Sequence, residues 1–269
     1  MCKLYRKQTD LLQALLLLER NPVGIRFLWN KQEYEECSGQ AVRYKMPYCV
    51  MVKSAAAGHD LKVQADNFGC KAAARALGFI QPQRSFLDGE DGLRFGIYKD
   101  LETAKCSSSH ITLCDKKAFG MQLAPLNLFG TEPDVVICFT NPYGAMRFVQ
   151  AHSYSFGNGM EFRMGGLQAM CSETTAYPYV SGNMNISMLC AGTRNLCKWK
   201  EEELAVGIPY LRLQGILTGL LKTVNPLERD EKKKLIQEKL KVAGEDSIEI
   251  LFGKNYDDNL YEFGKSGRR

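Results

Sequence analysis

Ten cysteines are the residues with the most chemical potential in this chain of 269 residues, which has only three histidines. They lie at positions 2, 37, 49, 70, 106, 114, 138, 171, 190 and 197. In an extracellular protein an even number of cysteines suggests disulfides. In a reducing cytosol the same number favours metal binding, redox chemistry or plain burial.

Four of the cysteines adjoin predicted turns or helix starts: Cys49, Cys70, Cys171 and Cys190. Four thiolates from distant loops, without histidine partners, can form a tetrahedral sulfur site that holds zinc or an iron–sulfur cluster. The chain has none of the tight CxxC pairs that are common in zinc ribbons. The residues alone therefore leave three alternatives open, namely a cluster, zinc, or ordinary buried cysteines.

Other motifs give weaker indications. Cys190 and Cys197 are seven residues apart, which is only a weak sign of thiol–disulfide chemistry. Cys138 lies within an apolar strand and His152 on a helix with apolar neighbours, so both are predicted to be core residues. The sequence contains no GxxxxGK loop, no GxGxxG after a strand and no HExxH, which argues against the standard nucleotide and zinc-protease sites.

Composition indicates a globular protein of one large or two small domains, because 45% of the residues are hydrophobic and 24% are charged. The net charge of +5 is modest, and no aromatic-basic stripe supports a nucleic-acid partner. The longest apolar stretch, residues 11–18, is shorter than the roughly 20 residues of a membrane span, so no membrane association is expected. No small-residue cleavage site follows it, and we expect a cytoplasmic protein.

Periodicity and capping residues predict the elements that position the cysteines. In the first half of the chain we expect a helix over residues 9–20 with Thr9 as its N-cap, and Cys70 at the start of an alanine-rich helix. The other elements expected there are a strand over 23–29, a helix over 48–57 and a strand over 61–63, with the cysteine-headed helix covering 71–77.

In the second half, residues 80–119 are expected to form a strand, a loop and one short helix. A buried strand over 134–140 is followed by a helix that Asn141 caps and that ends near Ser155. The mixed-sign run 228–234 is expected to be a solvated helix face. The remaining predicted elements are a strand over 160–164, a helix over 209–222 and a helix over 226–242 capped by Asn225.

These elements suggest a degenerate internal duplication, with half-repeats over about 22–80 and 133–190. Gly58 precedes Cys70 by twelve positions, and Gly159 precedes Cys171 by twelve. The predicted fold class is therefore α/β (α+β mixed), with two related strand-helix-strand halves in one compact domain and C-terminal helices. The domain is expected to cover residues 1–243, and residues 244–269 a partly disordered C-terminal extension.

The sequence also resembles a known family, the domain of unknown function 169 or ArCR family, found mainly in anaerobic bacteria and archaea. Two of the matching motifs contain cysteines, since 171–173 is similar to the family's Cys-x-Glu and 190–194 to its Cys-x-Gly-x-Arg. The resemblance favours Cys49, Cys70, Cys171 and Cys190 over the other six cysteines. Val50 stands where the family has glutamine. Further similar stretches are residues 22–27, 132–136, 141–142 and 203–209.

The main functional hypothesis is that these four cysteines hold a [4Fe–4S] cluster at the seam between the half-repeats. With four ligands the cluster serves electron transfer, structure or sensing; with three, a free iron can bind substrate as a Lewis acid. Glu173 is a candidate acid or base and Arg194 a candidate for binding an anionic substrate.

Whether the protein is an enzyme is left open. Its expected partner is an unknown small molecule or a redox partner protein. The alternative is a non-enzymatic small-molecule-binding or accessory protein, whose cysteines bind structural zinc or only pack.

Overall fold

The computed structural model describes residues 2–244, so the predicted C-terminal extension lies almost wholly outside the described residues. Within that range seven strands form one sheet, and helices cover both of its faces. The strands are β1 (Val23–Leu28), β2 (Gln40–Ala41), β3 (Leu61–Val63), β4 (Gly120–Pro125), β5 (Val135–Thr140), β6 (Asn185–Ser187) and β7 (Leu204–Pro209).

Helices make up most of the remaining described chain, and a π-helix over Ala169–Ala176 carries Cys171. Short 3-10 turns occupy Ala65–Asn67 and Leu126–Leu128. The α-helices are α1 (Cys2–Leu16), α2 (Lys31–Glu36), α3 (Tyr48–Ala56), α4 (Lys71–Ala76), α5 (Arg84–Leu87), α6 (Glu90–Arg94), α7 (Leu101–Ser109), α8 (Pro142–Phe156), α9 (Tyr177–Ser181), α10 (Ala191–Cys197), α11 (Tyr210–Lys222), α12 (Val224–Leu227) and α13 (Asp230–Ala243).

The sheet has the strand order β2-β3-β4-β1-β5-β7-β6. Its neighbouring strands are antiparallel except for β2 and β3, which are parallel. Strands β1 and β5 are neighbours near the centre of the sheet, and outward from each lies a strand that occurs later in the chain, β4 beside β1 and β7 beside β5. The predicted mixed α/β class is confirmed.

The two halves of the sheet repeat the same register. Val23, the first residue of β1, pairs with Pro125, the last residue of β4. Val135, the first residue of β5, pairs with Pro209, the last residue of β7. The central strand of each half therefore meets its neighbour in the same alignment.

The equivalence extends one strand further. Leu123, two residues before the end of β4, pairs with Leu61 at the start of β3. Gly207, two residues before the end of β7, pairs with Asn185 at the start of β6. The sheet thus contains two halves with the same register, β1-β4-β3 and β5-β7-β6, although β4 and β7 lie outside the predicted half-repeats 22–80 and 133–190.

The structure changes how the two halves correspond. Residues 160–164, predicted as the counterpart of β3, form no strand. Their backbone is held by the side chain of Asn185, which accepts from the Arg163 N–H at 3.0 Å and donates to the Arg163 carbonyl at 2.9 Å. The counterpart of β3 is β6, which the sequence reasoning missed.

Two hydrophobic cores lie on opposite faces of the sheet. Successive side chains of a strand point to opposite faces, and in β5 Ile137 joins one core whereas Cys138 joins the other. Helices α3 and α4 and the π-helix cover the first face. Helices α1, α8, α11 and α13 cover the second.

Several elements match their predictions, namely β1, α3, β3, α4, β5, α8 and α11. Helix α1 differs, since it begins at Cys2 rather than at Thr9. The Thr9 hydroxyl donates to the Tyr5 carbonyl one turn earlier at 2.9 Å, so Thr9 is an interior residue of the helix and not its N-cap. The helix ends at Leu16, four residues before the predicted end.

Residues 80–119 also differ from the prediction, because they form three helices, α5 to α7, and no strand. The predicted helix over 226–242 is divided into α12 and α13. At the division, Glu228 is buried and its carboxylate lies 2.8 Å from the Arg147 Nε atom. The run 228–234 is therefore not a wholly solvated face.

Among the described residues, no helix combines the length and the apolar character that crossing a membrane would require.

Candidate functional site

The four cysteines singled out by the sequence all lie at the starts of elements that border the first face of the sheet. Cys70 is the N-cap of α4, and Cys190 is the N-cap of α10. Cys49 is the second residue of α3, and Cys171 is the third residue of the π-helix. Unpaired backbone N–H groups at a helix start favour the thiolate form of cysteine.

These positions follow the relation between the two halves of the sheet. Cys70 comes after β3 and Cys190 after its counterpart β6. Cys49 lies in the first turn of the helix before β3, and Cys171 lies near the start of the helical segment before β6. The structure thus matches Cys49 with Cys171 and Cys70 with Cys190, whereas the sequence alignment had matched Cys70 with Cys171.

Cys171 interacts electrostatically with two of the other thiols. Burial raises the pKa of Cys171 well above its usual value, and the neighbouring thiols of Cys70 and Cys190 raise it further. The Cys171 Sγ atom lies 3.5 Å from the carbonyl oxygen of Gln168. A buried thiol among other thiols favours its neutral form unless a cation is present.

Cys49 joins this group through a hydroxyl. Its pKa is lowered to about 7, first by a hydrogen bond from Cys197, and then by Thr193 and the Val50 N–H, against the opposing effect of burial. The Thr193 hydroxyl lies 3.2 Å from the Cys190 Sγ atom. Thr193 therefore bridges Cys49 and Cys190.

Cys197 is a fifth sulfur at the site, which the sequence had linked only weakly to Cys190. It is buried at the end of α10, and its hydrogen bond to Cys49 and its burial raise its pKa. The only sequence signal was its distance from Cys190, yet the structure pairs it with Cys49. Its carbonyl accepts from Lys53, whose ammonium lies 5.3 Å from the ring centroid of Trp199.

Within residues 2–244, no three histidine, cysteine or acidic side chains are arranged as the ligands of one ion. The histidines do not complete such a set, since the His110 Nδ1 atom contacts the Cys106 carbonyl at 2.8 Å and His152 is buried on α8, as predicted.

Glu173, the candidate acid or base, is buried and strongly hydrogen-bonded. Its carboxylate accepts from the backbone N–H groups of Gly165 at 2.8 Å and Gly166 at 3.2 Å, and from the Ser187 hydroxyl. It also lines a cavity of about 420 Å³ together with Ser172. Its proposed role in proton transfer stays a prediction.

Arg194, the candidate anion-binding residue, has its guanidinium directed at backbone carbonyls. It donates to the carbonyl oxygens of Met188, Lys200 and Glu203. These bonds fasten α10, and with it Cys190, to the strand ends on either side. A structural role follows from these contacts, and its binding of a substrate stays a prediction.

A second cavity, of about 620 Å³, adjoins the first and shares Ile111 and Leu167 with it. It lies between α4 and residues 84–109, and buried Arg75 forms part of its wall. Arg75 is close enough to Cys70 and Cys171 to interact with their charges. Sequence reasoning missed Arg75 because it lies within an alanine-rich helix and belongs to no motif.

The remaining cysteines with described side chains have different surroundings. Cys138 is fully buried in β5, as predicted, and burial raises its pKa. Cys114 is buried in the first core and Cys37 lies beside Asp60, whereas Cys106 is exposed on α7.

Comparisons with known proteins agree with the sequence resemblance. The model of the domain of unknown function 169 family (DUF169), described as uncharacterised ArCR, matches residues 11–219. A curated relative, the "Uncharacterized protein MJ0308" of Methanocaldococcus jannaschii, is 26% identical over 217 residues. The match covers 80% of this chain and 93% of that protein. No solved structure matches the chain significantly. Since the family model covers well over half of the sequence, including all four motif cysteines, the chain belongs to the domain of unknown function 169 (ArCR) family.

Proposed function

We propose that the protein binds a [4Fe–4S] cluster through Cys49, Cys70, Cys171 and Cys190 and uses it in redox or lyase-type chemistry on a small molecule. One observation carries the proposal: each half contributes two cysteines at equivalent helix starts, Cys49 and Cys70 in the first half and Cys171 and Cys190 in the second. Equivalent positions of this kind would supply two sulfur ligands from each half to a shared centre.

The contacts of the thiols support a shared ligand. Cys171 interacts electrostatically with both N-cap cysteines, Cys70 and Cys190. Thr193 connects Cys49 to Cys190. Thiols at helix starts are the kind of donor that sulfur-bound metal centres use.

The spacing of the cysteines favours a cluster over zinc. The chain has none of the tight CxxC pairs that are common in zinc ribbons. A [4Fe–4S] cluster can take its four cysteines from separate segments, because each cysteine binds a different iron atom.

Cationic side chains can balance the charge of four thiolates. The Arg75 guanidinium interacts with the charges of Cys70 and Cys171, and Lys53 lies beside the Cys49–Cys197 pair. Burial of several thiolates without such cations would be strongly unfavourable. When bound, the cluster would supply electron transfer or, if one iron lacks a cysteine, a Lewis-acidic iron.

The surroundings also favour a reaction on a small molecule. Two connected cavities are lined by residues next to Cys70 and Cys171, namely Lys71 and Ser172, and Glu173 lines the smaller cavity two residues after Cys171. Its carboxylate is held in place by three hydrogen-bond donors, which fixes its position for a role in proton transfer.

The alternative is a binding or accessory protein that holds structural zinc or only packs its thiols. The contact between Cys49 and Cys197 favours it, because that pair already provides each thiol with a partner. Under this alternative the protein would be colourless.

The test is an anaerobic purification with iron supplied, followed by a visible absorption spectrum and by iron, sulfide and zinc analysis. A cluster predicts broad absorption near 400 nm and roughly four irons and four sulfides per chain. A colourless protein without iron overturns the proposal; bound zinc would then assign a structural site.

A further inference from the structure

Arg75 is a buried cation in the wall of the 620 Å³ cavity, and only 6% of its surface is exposed. Its Nη1 atom donates to the Gln83 side chain at 3.0 Å, and its guanidinium carbon lies 3.5 Å from the ring centroid of Phe86. Its Nε atom is buried without a hydrogen-bond partner. In the part of the chain that the structure describes, no carboxylate lies within 4.0 Å of it, so Arg75 lacks an ion-pair partner.

The acidic residue of the cavity does not neutralise Arg75. Asp91 interacts with Arg75 over a longer distance, but its carboxylate oxygen lies 2.6 Å from the Arg94 Nη2 atom. Once Asp91 and Arg94 are paired, Lys71 and Arg75 leave the cavity wall positively charged. An anionic ligand would compensate the buried guanidinium.

Gln168 provides a second unsatisfied group in the same cavity. Its Oε1 atom is buried and has no hydrogen-bond donor. Its backbone has a φ of +53°, in the left-handed region that residues other than glycine rarely adopt. Such backbone strain is often found at binding sites. The Gln168 carbonyl also accepts from Ser172 at 2.8 Å, which connects the cavity wall to the π-helix.

The shape and the apolar lining indicate an organic ligand. A volume of about 620 Å³ suits a small molecule. Phe86, Phe95 and Tyr98 line the cavity, and Phe95 is 72% exposed, which leaves apolar surface available for contact. Inorganic phosphate would satisfy Arg75 but would leave these aromatic rings and Gln168 without partners.

We propose that this cavity binds a small organic carboxylate with an apolar or aromatic body. Arg75 holds the carboxylate, the aromatic rings contact the body, and Gln168 accepts a hydrogen bond from a hydroxyl or amino group of the ligand. This inference goes beyond the cysteine centre, because the cavity and its unsatisfied groups do not depend on a metal.

The test measures binding to the full-length protein by calorimetry and ligand-observed NMR. The probes are benzoate, 4-hydroxybenzoate, phenylacetate and hexanoate, each compared with its neutral primary amide, with inorganic phosphate as a further probe. We expect at least one acid to bind at least tenfold more tightly than its amide and than phosphate. If no acid binds, if acid and amide bind equally, or if phosphate binds best, the proposal is overturned.

Variants then assign the binding to the two residues. Arg75→Met should weaken binding of the acid by about 10- to 100-fold, and Arg75→Lys should weaken it less, because it keeps the positive charge. Arg84→Met is the matched control, since Arg84 lies nearby on α5 but its side chain is 95% exposed. Unchanged affinity in folded Arg75→Met would overturn the assignment.

A further variant keeps the test decisive if Arg75→Met does not fold. Gln168→Asn should reduce the advantage of 4-hydroxybenzoate over benzoate and leave benzoate binding unchanged, and no change in that ratio would contradict the role of Gln168. Measurement on the Cys171→Ala variant separates the two proposals, because carboxylate binding should persist even if no metal is bound.

Discussion

Cys70 and Cys190 occupy the same position in the two halves of the protein, each as the N-cap of a short helix that follows a matched strand. The match does not depend on sequence similarity around them. It follows from the pairing of β3 with β4 and of β6 with β7 in the same register. The two sulfurs therefore approach Cys171 from opposite halves.

The close contact between Gly207 and the π-helix is the first feature that a substitution can test. A Cβ atom at Gly207 would lie 2.2 Å from the Thr174 carbonyl oxygen and 2.7 Å from the Thr174 Cα atom. Gly207→Ala must push the π-helix away from β7, and we expect it to lower the free energy of unfolding by about 1–3 kcal/mol. Iron content should fall with it, since Cys171 would move.

Gly130→Ala is the control for this variant, because nothing lies within 4 Å of a Cβ atom at Gly130. Denaturant unfolding and iron analysis measure both effects. A Gly207→Ala protein with wild-type stability and iron content would contradict the close packing of the π-helix on the sheet.

The ion pair of Arg147 and Glu228 should contribute strongly to stability when one partner is removed. Both side chains are buried, and Glu228 also accepts from the Tyr143 hydroxyl at 2.6 Å. Arg147→Met leaves a buried carboxylate without its main cation, and we expect a loss of about 3–5 kcal/mol in the free energy of unfolding. Adding Glu228→Gln should recover part of the loss, and a single-variant loss under about 1 kcal/mol would contradict the pairing.

Asp134 should make stability depend on pH. Burial raises its pKa to about 6, opposed by the Phe27 N–H, which donates to it at 2.7 Å. The folded protein therefore holds the proton of the Asp134 carboxyl more tightly than the unfolded chain does. The stability that this bound proton contributes is lost as pH rises from about 4 to about 6. Asp134→Asn keeps an acceptor for Phe27 and should stabilise the protein by about 1–3 kcal/mol at pH 7.

The comparison requires unfolding curves of both proteins between pH 4 and pH 8. The stability advantage of Asp134→Asn over the wild type should be small at pH 4, grow between pH 4 and pH 6 and level off above pH 6. An advantage that is constant with pH, or that grows towards low pH, would show that the carboxyl pKa is not raised.

Glu173 should be important for local order but not for holding the cluster. Glu173→Gln loses the charged acceptor of the Gly165 and Gly166 N–H groups. We therefore expect the free energy of unfolding to fall by about 2 kcal/mol and the segment 157–166 to be cleaved faster by proteases. Iron content should stay at the wild-type level, because Glu173 is not a proposed ligand. Loss of iron from the folded variant would assign it to the metal centre instead.

The sequence was sufficient for elements with strong local signals. The apolar run of β5 and the Asn141 cap of α8 predicted both elements, and Asn141 accepts from the Gly144 N–H at 2.9 Å. Alanine-rich α4 and its start at Cys70 were predicted on the same kind of evidence.

The missed elements depend on tertiary contacts. Strand β4 ends in proline and is stabilised by pairing with both β1 and β3. Strand β6 has only three residues, of which Asn185 and Ser187 are polar, yet both are buried because their side chains bond Arg163 and Glu173. Neither strand has the alternating pattern of an amphipathic strand.

The residues of the candidate site also divide into those with a local sequence signal and those that depend on tertiary contacts. The local context of four cysteines at helix starts, together with the family resemblance, selected Cys171 and the two cysteines whose charges interact with it, and also Cys49, which Thr193 links to Cys190. Arg75, Gln168 and Cys197 were missed because their importance comes from burial and from neighbours that are distant in sequence. The matching of the two halves was misassigned because equivalence lies in strand register rather than in glycine–cysteine spacing.

The most direct test of the cysteine centre compares single Cys→Ala variants in anaerobic protein, with iron, sulfide and absorbance near 400 nm measured on each. Cys114→Ala is a matched control for Cys171→Ala, since each cysteine is 7% exposed, and Cys197→Ala tests the fifth sulfur. We predict that Ala at 49, 70, 171 or 190 removes or strongly reduces the cluster, and that the Cys114 and Cys197 variants keep it. A wild-type protein without iron, or iron that survives all four substitutions, would contradict the account.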